Sequence, residues 1–177
     1  SWSYSTADGA FDFLAYGEIL TLTYTATVDD GHGGLVTKPI TVTVTGSNDT
    51  AEITSAPQAA TLTERADTHD AATPDTASGA ITFVDADLTD AHAVKLTGVN
   101  ASGAMTGLAN GAVQLNWLSL GPLADSTDGG QGSQSWSFSA PDSYFDYLAD
   151  GEAVTLTYTI EVDDHHGGVT SQDIVVT

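Results

Sequence analysis

Leu20, Leu22, Tyr24, Ala26 and Val28 alternate one for one with Thr21, Thr23, Thr25 and Thr27. A strand sends successive side chains to opposite faces, so this segment has one apolar face and one threonine face. A helix would smear the two classes around its circumference. The pattern returns in Val154, Leu156, Tyr158, Ile160 and Val162. Half-buried β-structure is therefore specified twice.

The recurrence belongs to a longer repeat. Residues 1–43 align without a gap to residues 135–177, at an offset of 134, and 25 of the 43 positions are identical. Ser-Trp-Ser-Tyr-Ser at 1–5 matches Ser-Trp-Ser-Phe-Ser at 135–139, and Phe11-Asp12-Phe13-Leu14-Ala15 matches Phe145-Asp146-Tyr147-Leu148-Ala149. Self-similarity on this scale predicts a piece of a tandem array. Residues 1–47 would be the last part of one unit, about three strands, and residues 48–177 a complete unit. Gly46-Ser47-Asn48-Asp49-Thr50, a run of turn formers, marks the boundary.

Ile40, Val42 and Val44 form a second strand, echoed by Ile174 and Val176. Asp29-Asp30-Gly31-His32-Gly33-Gly34 supplies a hairpin turn between the two strands of the first copy. Further strands are predicted over 60–63, 80–84, 93–99, 112–117 and 134–139, and one helical turn over 144–149. About seven short strands separated by Gly- and Asp-rich turns predict an all-β fold, an antiparallel immunoglobulin-like or cadherin-like β-sandwich.

Charge narrows the function. Asp and Glu number 24 against 3 Lys and Arg, a formal net charge of −21. Phosphate binding needs a basic surface, so nucleic acid is excluded as a partner, and anionic membranes are repelled likewise. Hydrophobic residues at 41% are enough for a core, and without cysteine neither disulfides nor thiolate metal sites stabilise it. Carboxylates in such excess oppose compaction unless something neutralises them.

The acids cluster where a sandwich would bring loops together. Asp85, Asp87 and Asp90 follow the second strand of the complete unit, and Asp163 and Asp164 lie in its last hairpin loop. Both loops fall at the end where the chain enters. The preceding unit offers Asp8, Asp12 and Glu18 there, and its exit strand runs into Asn48 and Asp49. Hard oxygen ligands converging in that number suit Ca²⁺, which takes six to eight, better than Mg²⁺. Glu64, Asp67, Asp146 and Glu152 would form a second, half-built site at the far end.

The stretch Gly79-Ala80-Ile81-Thr82-Phe83-Val84-Asp85-Ala86-Asp87-Leu88-Thr89-Asp90-Ala91-His92 carries a resemblance. So do Trp136-Ser137-Phe138, Leu148-Ala149-Asp150-Gly151-Glu152, Leu156-Thr157-Tyr158, Val162-Asp163-Asp164 with Gly167-Gly168, and Gly46-Ser47-Asn48-Asp49. Together they resemble the VCBS repeat, a cadherin-like module of large bacterial RTX-type surface adhesins. The resemblance implies a secreted, extracellular extender serving cell adhesion and biofilm formation. It implies Ca²⁺ between neighbouring repeats of one monomeric chain, with Asp85, Asp87, Asn48 and Asp49 at the cadherin ligand positions.

Catalysis finds little support. Asp29 with Asp30, or Asp163 with Asp164, are hairpin neighbours that point apart, a poor acid/base pair. His32, His69, His92, His165 and His166 match no zinc spacing, and no serine sits in a nucleophile elbow. Trp2, Tyr4, Phe11 and Phe13 recur as Trp136, Phe138, Phe145 and Tyr147, which predicts core packing. Asp125 and Asp128 read as ordinary loop. Trp117 stands outside the repeat, and an exposed ring there would stack on a sugar. That is the basis of the rival function, a carbohydrate- or protein-binding module recognising its partner through residues 100–128.

Overall fold

The computed structural model describes residues 1–65 and 73–177, apart from the side chain of Asp8. Asp67 and His69 therefore lie outside the described residues. Ten strands and one short helix follow in order: β1 (Ile19–Asp29), β2 (Leu35–Thr45), β3 (Glu52–Ile53), β4 (Gln58–Ala60), β5 (Pro74–Val84), β6 (Ala93–Gly103), α1 (Gly111–Leu115), β7 (Leu118–Ala124), β8 (Gly132–Pro141), β9 (Val154–Asp163) and β10 (Val169–Val176). The last eight strands build an immunoglobulin-like sandwich. One sheet runs β3-β5-β8-β7 and the other β4-β10-β9-β6. All pairings are antiparallel except β4 beside β10, where Ile174 faces Gln58. The entering chain thus pairs with one sheet through β3, crosses at residues 54–57, and pairs with the other through β4.

Alternation places the core as the sequence requires. Ile81, Phe83, Trp136 and Phe138 point inward from one sheet, and Leu156, Tyr158, Ile160, Val162, Ile174 and Val176 from the other. None of the ten is more than 4% exposed. The Tyr158 hydroxyl, the one polar atom carried deep by this set on β9, donates to the Gln114 carbonyl at 2.9 Å. A buried hydroxyl without such an acceptor would cost about 1–3 kcal/mol.

Three expectations fail locally. Residues 112–117 are not extended: they run from α1, which ends at Leu115, into a turn, because Asn110 accepts from the Ala112 and Val113 backbone N–H groups and caps the helix. The helical turn expected over 144–149 starts earlier, as a 3-10 turn at Asp142–Tyr144. Residues 1–7 form no strand, although their equivalents lie in β8. β8 is held between β5 and β7, and a strand without neighbours has no hydrogen bonds to define it. The N-terminal part therefore contributes two strands, not three.

The repeated segments nevertheless fold alike. Tyr24 faces Ile40 in the β1–β2 hairpin, and Tyr158 faces Ile174 in β9–β10, the same register shifted by the repeat. Only their surroundings differ. Leu156 is 1% exposed, whereas its counterpart Leu22 is half-buried. Leu156→Ala is expected to cost about 3–5 kcal/mol and Leu22→Ala about 1 kcal/mol, read from denaturant midpoints. Equal losses would show that the two hairpins carry equal loads.

Candidate ion-binding junction

The end of β5, the turn between β9 and β10 and the linker after β2 meet where the hairpin joins the sandwich. Each arrives for a local reason. The turn after β9 is shaped by its own acids: Asp163 Oδ1 accepts the His165 N–H at 2.9 Å, and Asp164 Oδ1 accepts those of His166 at 2.7 Å and Gly168 at 2.9 Å. A Cβ at Gly168 would collide with the Asp164 carboxylate, so glycine is required there. The loop after β5 is closed in the same way, by Asp85 Oδ1 accepting the Asp87 N–H at 2.9 Å.

The linker is then stitched across both loops. Asn48 Nδ2 donates to Asp164 Oδ2 at 3.0 Å, and the Asp49 N–H donates to Asp87 Oδ2 at 2.8 Å. The preceding turn adds two contacts. Thr89 Oγ1 donates to Glu18 Oε1 at 3.0 Å, and the Leu88 N–H donates to the Phe13 carbonyl at 3.4 Å. Leu14 and Ala15 are buried at this seam, only 7% and 4% exposed. Glu18 is fixed by its other oxygen, which accepts the Ala15 N–H at 3.1 Å.

Four carboxylates at this end are almost fully enclosed: Asp85, Asp87, Asp90 and Asp164 are 7%, 1%, 3% and 0% exposed. Burial raises the Asp87 carboxyl to about 6, against the Asp49 N–H and with help from the charges of Asp90, Asp85 and Asp49. Burial acts on Asp164 in the same direction, but hydrogen bonds from Asn48, His166 and Gly168 outweigh it and hold that carboxyl below the usual range. His92 separates two of the acids. Its Nε2 lies 2.9 Å from Asp85 Oδ2 and its Nδ1 2.7 Å from Asp125 Oδ1. Burial alone would lower its pKa; the flanking carboxylates win and raise it. Asp125 is thus part of this end, not ordinary loop. Asp90 Oδ2 meets His166 Nδ1 at 3.1 Å.

Two oxygens here have nothing to bond. Asn48 Oδ1 and Asp87 Oδ1 are buried without a hydrogen-bond partner, and Trp136 Nε1 is the only other such side-chain atom among the described residues. An enclosed acceptor left unpaired costs about 1–3 kcal/mol, more when charged. Both oxygens belong to residues joined by the linker stitch. A hard cation at this seam would be held by Asn48 Oδ1 and Asp87 Oδ1, with the carboxylates of Asp49 and Asp164 completing the charge. The donor set is all oxygen and includes an amide, which suits Ca²⁺.

The sequence-predicted ligands therefore divide. Asn48 with Asp164 and Asp49 with Asp87 form two hydrogen-bonded pairs, while the group of three acids whose oxygens lie within 4.8 Å of one another among the described residues is Glu64, Asp142 and Asp146, not a set at the seam. Glu18 reaches only Thr89. Asp85 and Asp90 are present but engaged with His92 and His166. Asp163 turns away toward Lys95, whose Nζ lies 3.8 Å off. Asp12 is exposed and enters none of the hydrogen bonds across the seam among the described residues. Asp29 and Asp30 accept backbone N–H groups of their own turn.

The far end gathers differently. Glu64, Asp142 and Asp146 bring oxygens within 4.8 Å of one another. Glu64 and Asp146 were expected there; Asp142, fully buried, was missed, although its counterpart Asp8 sits in a loop already singled out. Glu152 instead accepts the Ala149 N–H at 3.0 Å, as Glu18 does with Ala15. This end owns a cation: Arg65 Nη1 lies 3.2 Å from Asp75 and 3.5 Å from Asp142. The tighter carboxylate trio is thus already partly neutralised, whereas the orphaned acceptors lie at the seam. Trp117 is 5% exposed and packs against Phe138, Tyr144 and Phe145, so its ring is not the exposed sugar platform expected for the rival function. No family model and no curated protein matches the chain.

Asp87 supplies a clean test. Its folded-state pKa lies above the unfolded value of 3.8, so stability tied to it is full below that value and is lost as pH rises through about 6. In chelator at pH 7, Asp87→Asn is expected to be more stable than the parent by about 1–3 kcal/mol, the gap closing toward pH 4. Urea titrations at the two pH values measure it. A variant no more stable than the parent at pH 7 would show that the buried charge costs nothing.

Proposed function

We propose that the chain is a structural extender of a secreted bacterial surface adhesin, in which Ca²⁺ stiffens the seam between consecutive β-units. The observation that carries this reading is the pair of orphaned oxygens, Asn48 Oδ1 and Asp87 Oδ1, on either side of the linker stitch. A chain of charge −21 has few internal means of neutralising enclosed carboxylates. Of its three Lys and Arg, Arg65 serves the far end and Lys95 pairs with Glu161 at 3.1 Å. A divalent ion outside the cell fills that role. With it the linker is clamped to two loops; without it, repulsion between Asp49, Asp87 and Asp164 loosens the hinge. Stiffness then follows the external ion concentration, and the array extends where calcium is plentiful.

The role of the protein in this reading is mechanical. Its partners are neighbouring units of the same chain, and its surface offers neither phosphate nor anionic membrane a favourable potential. The resemblance to VCBS repeats supports the same assignment on independent grounds, through the residues flanking Asp85 and Asp87 and the Gly46–Asp49 linker.

Saturating Ca²⁺ is expected to raise the unfolding free energy by RT ln(1 + [L]/Kd), about 2.7 kcal/mol at a hundredfold excess over Kd. Calorimetry with and without chelator reads the shift. Asn48→Ala and Asp87→Asn should each abolish most of it, even though the second is the more stable protein without the ion. Superimposable melting curves for the parent in calcium and in chelator would exclude the proposal.

A further inference from the structure

The β1–β2 hairpin presents an apolar face that its repeat counterpart keeps entirely inside. Leu22, Tyr24, Ile40 and Val42 correspond at the repeat offset to Leu156, Tyr158, Ile174 and Val176. The second set is at most 4% exposed, buried against Ile81, Phe83, Trp136 and Phe138. In the first set Tyr24 is 47% exposed, and Val28 beyond it 68%. A contiguous apolar face of this kind on a folded sheet marks a surface that something covers.

Part of the missing core is already in place. Trp2 and Tyr4 lie over Tyr24, Ile40 and Val42 and line a shallow cleft with them. The Tyr4 and Tyr24 rings are 6.0 Å apart, and the equivalent Phe138 and Tyr158 rings 6.2 Å apart. The first pair is tilted, at 47°, and the second is edge-on, at 66°. The same ring pair thus meets in both copies, once exposed with Tyr4 outside any strand and once enclosed between two sheets. The edge tells the same story. β9 pairs on one side with β10 and on the other with β6, from Ala93 opposite Asp163 to Gly103 opposite Val154. β1 pairs with β2 alone among the described residues, so its other row of backbone groups is open. An open edge beside an apolar face is a template for a further strand.

We propose that the hairpin is the acceptor half of a second sandwich, and that its occupant is a segment of the same repeat equivalent to residues 48–134. That segment carries what the face needs: a β5-like strand bringing Ile81 and Phe83 equivalents over Tyr24, a β6-like strand for the open edge of β1, and a β4-like strand to lie parallel to β2. The proposal draws on the repeat organisation in the functional reading but not on its calcium. Ion binding at the seam and completion of the hairpin can fail separately.

The test extends the full chain at its N-terminus with a copy of residues 48–134, so that the copied Gln134 runs into Ser1. Amide hydrogen exchange is followed in chelator at Leu22, Tyr24, Ile40 and Val42, with Ile160 and Ile174 as the internal standard. Protection of the four hairpin amides is expected to rise at least about a hundredfold over the 177-residue chain, toward that of the standard. Leu22→Asp should remove the gain without altering the standard. Unchanged hairpin exchange in the extended chain overturns the proposal. So does an added copy that stays unfolded while Ile160 and Ile174 remain protected, because the segment then fails to recognise the face. Concentration-dependent protection in the unextended chain would assign the face to a second copy of the protein instead.

Discussion

Hydrogen bonds from Asn48 and Asp49 to the carboxylates of Asp164 and Asp87 fix where the hairpin sits on the sandwich. They are charge-assisted, which makes them stronger than neutral ones. They also bring more negative charge to a place that already encloses four carboxylates. The arrangement is therefore self-opposing. Each stitch that orders the linker shortens the distance between like charges, and a low local dielectric magnifies the penalty. In the reading proposed above, the electrostatic balance at this junction sets how tightly the linker is held.

The two ends of the sandwich solve the same problem by different means. Asp75 and Asp85 lie at opposite ends of β5, about 33 Å apart at the strand rise per residue. At the far end Arg65 lies against Asp75 and Asp142, and its backbone N–H also donates to Asp142 at 3.1 Å. Desolvation and the neighbouring Asp142 charge still raise the Asp75 carboxyl, so one arginine does not cancel the cluster. At the seam His92 bridges Asp85 and Asp125, whose carboxylates raise its pKa against the effect of burial. It leaves Asp87 and Asn48 unserved. The orphaned oxygens lie beyond that histidine's bonds among the described residues, so a cation at the seam would answer a shortage of basic residues rather than a motif.

Strand positions were legible because alternation is a property of the residues themselves. Tyr158, Ile160 and Ile174 could be assigned to the core from periodicity alone, and the sandwich follows from their number and spacing. The convergence of Asp87, Asp164 and the linker was legible too, since strand order in an antiparallel sandwich fixes which loops share an end. What was hidden depended on side-chain bonding over short or long range. Asn110 starts the helix Gly111–Leu115 by accepting two backbone N–H groups, and nothing in the apolar pattern of Ala112, Val113 and Leu115 announces it. Asp125 looked like loop because its partner, His92, is 33 residues away in sequence. Asp142 was discoverable, since its repeat counterpart Asp8 had drawn notice, but a single acid before a strand break has no pattern of its own.

The repeat itself separates what local sequence decides from what context decides. Asp30 and Asp164 close identical turns, each accepting N–H groups two and four residues ahead. Local chemistry is therefore the same in both copies. Asp30 is fully exposed, whereas Asp164 is enclosed and bonded by Asn48 from the linker. A turn acid becomes a candidate ligand only when another unit arrives above it. Tyr24 and Tyr158 make the same point for the core, one open and one buried in hairpins of the same register. Local sequence thus decides turn and register, and the contacts between the repeated segments decide burial and bonding.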